Sequence, residues 1–365
     1  MRFIVLTAYK WLNKMNKKQI TIHKILIVQT QSMSSMIYTL PLINTLKYYF
    51  SDVTLSVLVH PSTKELINNV DAIDDIILDW HKTGDYNGIK DYRSYIKFIK
   101  SFDFDLVIYP DMDPFYIILG ALAKIPIRIG YNTNPILSSL LTHKTRFNQS
   151  DLSQHSVEKN VQLISPLLEN WTVLEEFNLS IQDESIESVK EKLNYDEDEN
   201  YVCIHPYDVN INQNWTASQY RELIQKVLDL SAVKIVLLGS KDEKLAAQSI
   251  TKEKQDNVIN LVGKLTLEEL KAILSLSKMV IGTDSDVTRI ATAFKKPIIS
   301  IQSSFSQKAV EYAPWSTNHV LIMNNNIDIN SNYNLDKKEV INDVNQITNV
   351  FSAIQFFLKN KITFP

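Results

Sequence analysis

Short continuous apolar runs alternate along this chain with stretches in which apolar residues return every three or four positions. Runs at 25–28, 54–59, 73–78, 106–109 and 127–129 are bounded by polar turns and have the length of buried strands. Between them, residues 36–50, 64–69, 92–101 and 115–123 carry helical spacing, with Pro41 near the start of the first helix. The series restarts after position 200. Apolar runs at 201–205, 234–238, 258–261, 279–281 and 298–301 alternate with helical spacing at 218–230, 243–250, 267–276 and 287–294. Val340, Ile341, Val344, Ile347, Phe351, Ile354 and Leu358 mark a closing amphipathic helix. Strand and helix alternating twice over predict an α/β chain of two doubly wound Rossmann-like domains facing across a cleft.

The break between the two series is residues 183–200, which hold eight carboxylates, four of them consecutive at 196–199. Such a stretch predicts a solvated helix followed by a linker. The expected division is therefore a basic amphipathic extension at 1–24, a first domain at 25–182, an acidic linker at 183–200, a second domain at 201–335 and a terminal helix at 336–365. A length of 365 residues suits two domains with a full core each.

Charge and composition narrow the partners. A net charge of -3 weighs against bulk nucleic-acid binding. The single cysteine, Cys203, excludes an internal disulfide and fits a reducing, cytoplasmic setting. No apolar run approaches the roughly 18 residues that span a bilayer. Residues 1–24 carry Arg2, Lys10, Lys14, Lys17, Lys18 and Lys24 without one acidic residue, interleaved with Tyr9, Trp11 and other apolar side chains. A segment of that kind can lie on an anionic membrane surface, which would place the chain at the inner face of the cytoplasmic membrane. The plainer alternative is a loosely packed extension. With seven glycines, the chain has no glycine-rich dinucleotide or Walker-type loop.

Residues 279–301, MVIGTDSDVTRIATAFKKPIISI, read as strand, turn, helix, turn and strand. Gly282, Thr283, Asp284 and Ser285 supply turn and cap chemistry, and Val287, Ile290, Ala291 and Phe294 give the helix its apolar face. A unit of this shape aims backbone N–H groups and a positive helix end at the C-terminal edge of a sheet, where phosphates are commonly held. Read locally, Asp284 or Ser285 merely caps a structural helix. The stretch also resembles the Asp-(Ser/Thr)-Gly-x-x-His-x-x-x-Ala motif of the ADP-heptose:lipopolysaccharide heptosyltransferases, glycosyltransferase family nine. Asp284, Ser285 and Ala293 match, while Asp286 stands at the motif's Gly and Arg289 at its His.

Further segments resemble that family in the same order, over roughly residues 24–301. They are KILIVQTQSMSSMIYTLPLINTLKYYF, SQHSVEKNVQLI, HPYDVNINQNWTASQY, IVLLGSKDE and NLVGKLTLEELKAIL. The resemblance implies the glycosyltransferase-B architecture, with the acceptor half first and the nucleotide-sugar half second. It implies transfer of a sugar from an ADP-heptose-like donor to lipopolysaccharide or another cell-surface glycan acceptor, without a cofactor. In the nucleotide half, Asp284, Ser285, Asp286, Thr288 and Arg289 are expected around the diphosphate. Asp242 or Glu243 would accept from the ribose, and Gly263 would admit the nucleotide base. Gln213 or Asn214 occupies the place of the family's basic residue ahead of Trp215.

The family's loop base, an Asp, maps to Ser35, whose hydroxyl is too weakly basic to take a sugar proton unaided. Proton removal is therefore expected from another carboxylate after the fourth strand, Asp111 first and Asp113 second. Turn and helix-cap roles are the plainer account of that pair. Asp-x-Asp spellings recur at 103/105, 111/113, 196/198 and 284/286, too often to mark a metal site, and the seven histidines show no ligand spacing. The rival expectation is a transfer-inactive member serving as a binding or scaffolding subunit, because the base, the phosphate-side cation and the motif glycine all depart together.

Overall fold

A computed structural model describes residues 21–79, 81, 89–146, 154–168, 170–206, 215–230, 233–251, 256–302, 311–315, 317–323, 338–341 and 347–359. Residues 1–20 of the extension expected at 1–24, Gln213, Asn214 and the asparagine-rich 324–334 lie outside them. The chain divides into two units, Met1–Ser180 and Ile181–Pro365.

In the first unit the described elements run β1 (Lys24–Gln29), α1 (Met33–Ile37), α2 (Leu40–Tyr49), β2 (Thr54–Val59), α3 (Lys64–Ile67), β3 (Asp75–Leu78) and α4 (Ile89–Ser101). They continue with β4 (Leu106–Ile108), α5 (Pro114–Leu122), β5 (Ile127–Tyr131), α6 (Pro135–Ser139), β6 (His143–Thr145) and α7 (Ser156–Gln162). All six strands are parallel, in the order β3-β2-β1-β4-β5-β6. Helices cover both faces of such a sheet, so β1 is buried from Ile25 to Gln29 and reads as a continuous apolar run. The single helix expected at 36–50 is two. Pro41, at the second position of α2, has no N–H to continue the ladder, and the chain breaks at Tyr38 and Thr39. Buried Gln29 then ties β1 to that break, its Nε2 donating to Thr39 Oγ1 at 3.2 Å.

The second unit opens with α8 (Asp183–Leu193). Then come β7 (Asn200–His205), α9 (Ala217–Leu230), β8 (Val233–Leu237), α10 (Lys244–Ile250), β9 (Val258–Asn260), α11 (Leu267–Leu276), β10 (Met279–Thr283) and α12 (Asp286–Ala293). It closes with β11 (Ile298–Gln302), β12 (His319–Met323), β13 (Lys338–Ile341) and α13 (Ile347–Lys359). These seven strands are also parallel, in the order β13-β12-β11-β10-β7-β8-β9. Val340 and Ile341, grouped with the closing helix on spacing, instead belong to edge strand β13, paired with Leu321 and Ile322. Cys203 is fully buried in β7, and burial pushes its thiol up to about 12.

Much of the acidic stretch is a packed helix. α8 buries Ser185, Val189 and Leu193 and lies against α11. Glu269 of α11 accepts from Ser188 Oγ at 2.6 Å and Lys192 Nζ at 2.5 Å, and also closes a capping box with Thr266. Burial opposes ionisation of Glu269, but these donors outweigh it and hold the carboxyl down at about 2. A carboxylate depressed when folded stabilises above its unfolded pKa, and that support fades as the pH falls toward 2. Urea unfolding of Glu269→Gln should therefore show a deficit of about 1–2 kcal/mol at pH 7 that shrinks between pH 5 and pH 2.

Tyr109, next after β4, is buried with its hydroxyl lacking a hydrogen-bond partner among the described residues. That hydroxyl lies over Gly120 of α5, inside the space a Cβ would occupy. Gly120→Ala should cost about 1–3 kcal/mol by overpacking. Tyr109→Phe should be neutral or stabilising, and the double variant should recover most of the loss, as read from urea midpoints.

Candidate active site

Both sheets reverse strand order beside their first strand, at β1/β4 in the first unit and β7/β10 in the second. Loops leaving neighbouring strands diverge there and open a crevice at the C-terminal edge. Every sequence-predicted site residue within the described set lies in a loop or first helical turn on one of these two edges.

On the first edge, Ser35 lies in α1, after β1. Its N–H donates to Ser32 Oγ at 3.2 Å, and the two hydroxyls are 3.1 Å apart. The segment after β4 is pinned at several points. Tyr109 N donates to Ile129 O at 3.0 Å, Met112 Sδ accepts from Tyr131 N at 3.2 Å, and Asp113 Oδ1 accepts from Phe115 N at 3.0 Å. Asp113 is thus the N-cap of α5. Asp111 sits between these anchors, half-buried, with Oδ2 closed off from solvent.

A carboxylate the sequence reading passed over supports this edge. Asp79, just past β3, is fully buried. It accepts from Tyr95 Oη at 2.7 Å, Tyr116 Oη at 2.5 Å and His81 N at 3.1 Å, joining β3 to α4 and α5. Burial, reinforced by the bond to Asp79, drives the Tyr116 phenol up. The His81 ring stacks on Phe115, with centroids 3.5 Å apart. The only sequence signal was an acid at the end of an apolar run. His155 is the N-cap of α7, its Nδ1 accepting from Val157 N at 3.1 Å.

On the second edge, Gly282 of β10 pairs with His205 at the end of β7. A Cβ at Gly282 would come within 3.1 Å of Thr288 Cγ2 and 3.2 Å of His205 O, so glycine lets the start of α12 close onto β7. Ser285 is the extended N-cap of α12. Thr288 is buried, and its Oγ1 donates within the turn to Ser285 O at 2.9 Å or Thr283 O at 3.1 Å while accepting from Ser285 N at 3.2 Å. Its side chain shapes the turn and does not face outward.

Arg289 Nη2 donates to Asp284 Oδ1 at 2.5 Å, and its guanidinium lies 5.4 Å from the Tyr312 ring centroid. With Asp286 at the first helical position, the turn holds two carboxylates and one guanidinium, a net charge of -1. The backbone N–H groups of α12 and the positive end of its dipole, about half an elementary charge, act against that charge.

The neighbouring loops add the remaining candidates. His205 Nε2 lies 3.7 Å from Glu243 Oε2, which also accepts from Ser240 N at 2.5 Å. Burial raises the Glu243 carboxyl, but these donors prevail and hold it below the usual range. Asp242 beside it is exposed. Gly263 has φ +68 and donates to Gly239 O at 2.9 Å, and a Cβ there would come within 2.9 Å of Lys241 Cα. Its glycine is required by the packing of the β9 loop on the β8 loop. Among the described residues no group of three or more His, Cys, Asp or Glu side chains is placed to hold a metal ion.

The family model for glycosyltransferase family 9 (heptosyltransferase) matches residues 93–340. The chain belongs to glycosyltransferase family 9. It is a heptosyltransferase-like glycosyltransferase. Its curated relatives include lipopolysaccharide heptosyltransferase 3 of Escherichia coli K12, 24% identical over 295 residues, covering 78% of this chain and 83% of the relative. Solved structures share the fold. The family 9 glycosyltransferase of Veillonella parvula aligns at a TM-score of 0.77 and 14% identity, covering 94% of this chain and 99% of that one. The E. coli heptosyltransferase WaaC with ADP aligns at 0.68 and 18%, covering 92% and 99%.

For this family 9 member, the turn geometry gives a stability prediction. Thr288→Val keeps the shape and deletes the cap hydroxyl, so it should lower unfolding stability by about 1–2 kcal/mol, whereas Thr288→Ser should stay closer to the parent. Chemical denaturation of the three proteins checks it.

Proposed function

We propose that this transferase moves a heptose-like sugar from a nucleoside-diphosphate donor resembling ADP-heptose to lipopolysaccharide or another cell-surface glycan. The carrying observation is the turn at 283–286, which opens α12 where the strand order reverses. Support for the substrate class comes from the curated relatives named lipopolysaccharide heptosyltransferase 3 and from the ADP in the WaaC structure.

In this reading the amides at the start of α12 hold the diphosphate. Ser285 places them, and Thr288 fixes their geometry from within. Arg289 neutralises Asp284, which would otherwise add its charge to that of Asp286 beside the phosphates. Asp242 is the exposed carboxylate offered to the ribose, while Glu243 steadies His205. Gln213 and Asn214 stand where a phosphate-side cation is usual and contribute hydrogen bonds only. On the acceptor side, Asp111 takes the proton as the acceptor oxygen bonds to the anomeric carbon and the bond to the diphosphate breaks. Ser35 is an acceptor contact, and Asp113 positions the loop as a helix cap. No cofactor enters the scheme.

In the same reading the enzyme works in the cytoplasm, at the inner face of the membrane, with the basic residues ahead of Lys24 meeting anionic lipid, Lys24 itself being committed to β1 and to Phe102 O. Among the described residues no helix is long and apolar enough to cross a membrane.

Calorimetric titration with ADP, GDP and UDP tests the donor side, with saturable binding of one of them expected. Absence of binding at millimolar nucleotide would remove the reading, and binding with no turnover on any glycan acceptor would make the chain a binding subunit. Asp111→Asn should lower kcat by about 10²–10⁴ with nucleotide affinity unchanged. Unchanged turnover would take the base role from Asp111.

A further inference from the structure

Among the described residues, six large hydrophobic side chains are exposed, and four of them fall on three successive helices of the first unit. They are Phe98 of α4 (43% exposed), Ile118 and Leu122 of α5 (37% and 50%) and Ile136 of α6 (79%). α4 packs on α5 and α5 on α6, so these side chains share one outer layer on one face of the sheet. Singly, exposed apolar residues are ordinary, but gathered on adjoining helices they mark an interaction surface.

The surrounding charge indicates what the surface meets. Arg93, Lys97 and Lys100 are exposed on α4, and Lys124 is exposed just after α5. Residues 114–146 contain Lys124, Arg128, Lys144 and Arg146 and no Asp or Glu, in a chain whose net charge is -3. The Arg128 guanidinium is already committed, to Leu140 O and Ile125 O. Opposing carboxylates near the layer are Asp91 in the first turn of α4, Asp103 just beyond its end and Asp113, half-buried at the N-cap of α5. The combination of exposed aliphatic and aromatic side chains with a basic surround is the pattern of a helix face that lies in the headgroup region of an anionic bilayer.

We infer that the α4–α6 face is a membrane-docking surface selective for anionic lipid, separate from the basic stretch at 1–24. It would hold the first unit flat on a bilayer, with Phe98, Ile118, Leu122 and Ile136 entering the headgroup layer and the lysines and Arg93 meeting lipid phosphates. The inference does not depend on the sugar-transfer reading, because lipid binding is measured without nucleotide or acceptor.

The test is cosedimentation of the full chain with vesicles of phosphatidylcholine, alone or mixed with phosphatidylglycerol. Binding is expected only to the mixed vesicles and should weaken with salt. Lys97→Glu/Lys100→Glu should weaken it about tenfold or more, and Ile118→Gln/Leu122→Gln should weaken it without changing the unfolding midpoint. Phe98→Trp should show an emission blue-shift on mixed vesicles. Three results would overturn the inference. They are undiminished binding by both double variants, a loss confined to Lys17→Glu/Lys18→Glu, or a dimer in sedimentation velocity that Ile118→Gln/Leu122→Gln dissolves.

Discussion

Close approach of β10 to β7 is the constraint from which the proposed donor edge is built. Gly282 faces His205 across the parallel ladder, and the space a side chain would need is filled by Thr288 and the His205 carbonyl. Because nothing intervenes, the first turn of α12 presses against the strand end and its amides project at the point where the strand order reverses. A larger residue at 282 would push the helix away, and the turn, the cap and the arginine pair would move with it.

Charge sets the terms on which that edge can hold a diphosphate. Asp284 and Asp286 would repel phosphate, and Arg289 spends its guanidinium on Asp284 while lying near Tyr312. What remains for an anion is directional N–H groups and the helix dipole, a weaker attraction than a dedicated lysine supplies. The proposed acceptor edge shows the same economy. Ser35 shares a hydroxyl contact with Ser32, and Asp113 is committed to a helix cap, so Asp111 carries the proposed proton transfer on a loop whose flanking residues are fixed. Buried Asp79, with its two tyrosines, anchors the helices behind that loop.

Much of this was legible in the chain itself. Apolar runs located ten of the thirteen strands because a parallel sheet covered on both faces needs no polar alternation. β6 and β13 escaped because they are short edge strands, β13 carrying Lys338 and Glu339 ahead of its apolar pair, whereas β12, with its apolar run at 320–323, was legible on the same ground as the ten. The acidic stretch at 183–193 reads as solvated in sequence, yet Ser185, Val189 and Leu193 at four-residue spacing supply the buried side of α8. The strand ends that carry the candidate positions were legible, but side-chain commitments were not. Nothing in the string distinguishes a threonine turned into its own turn from one facing a ligand, nor a glycine needed by a neighbouring loop from one that admits a nucleotide. Thr288 and Gly263 are those two cases. Asp79 was hidden for the same reason, since its partners lie 16 and 37 positions away.

Amide hydrogen–deuterium exchange with and without ADP examines the central claim, that the opening turn of α12 grips the diphosphate through its backbone. Slower exchange on ADP addition, centred on residues 283–289, is the predicted outcome. Protection that leaves this turn unchanged while appearing elsewhere would contradict it.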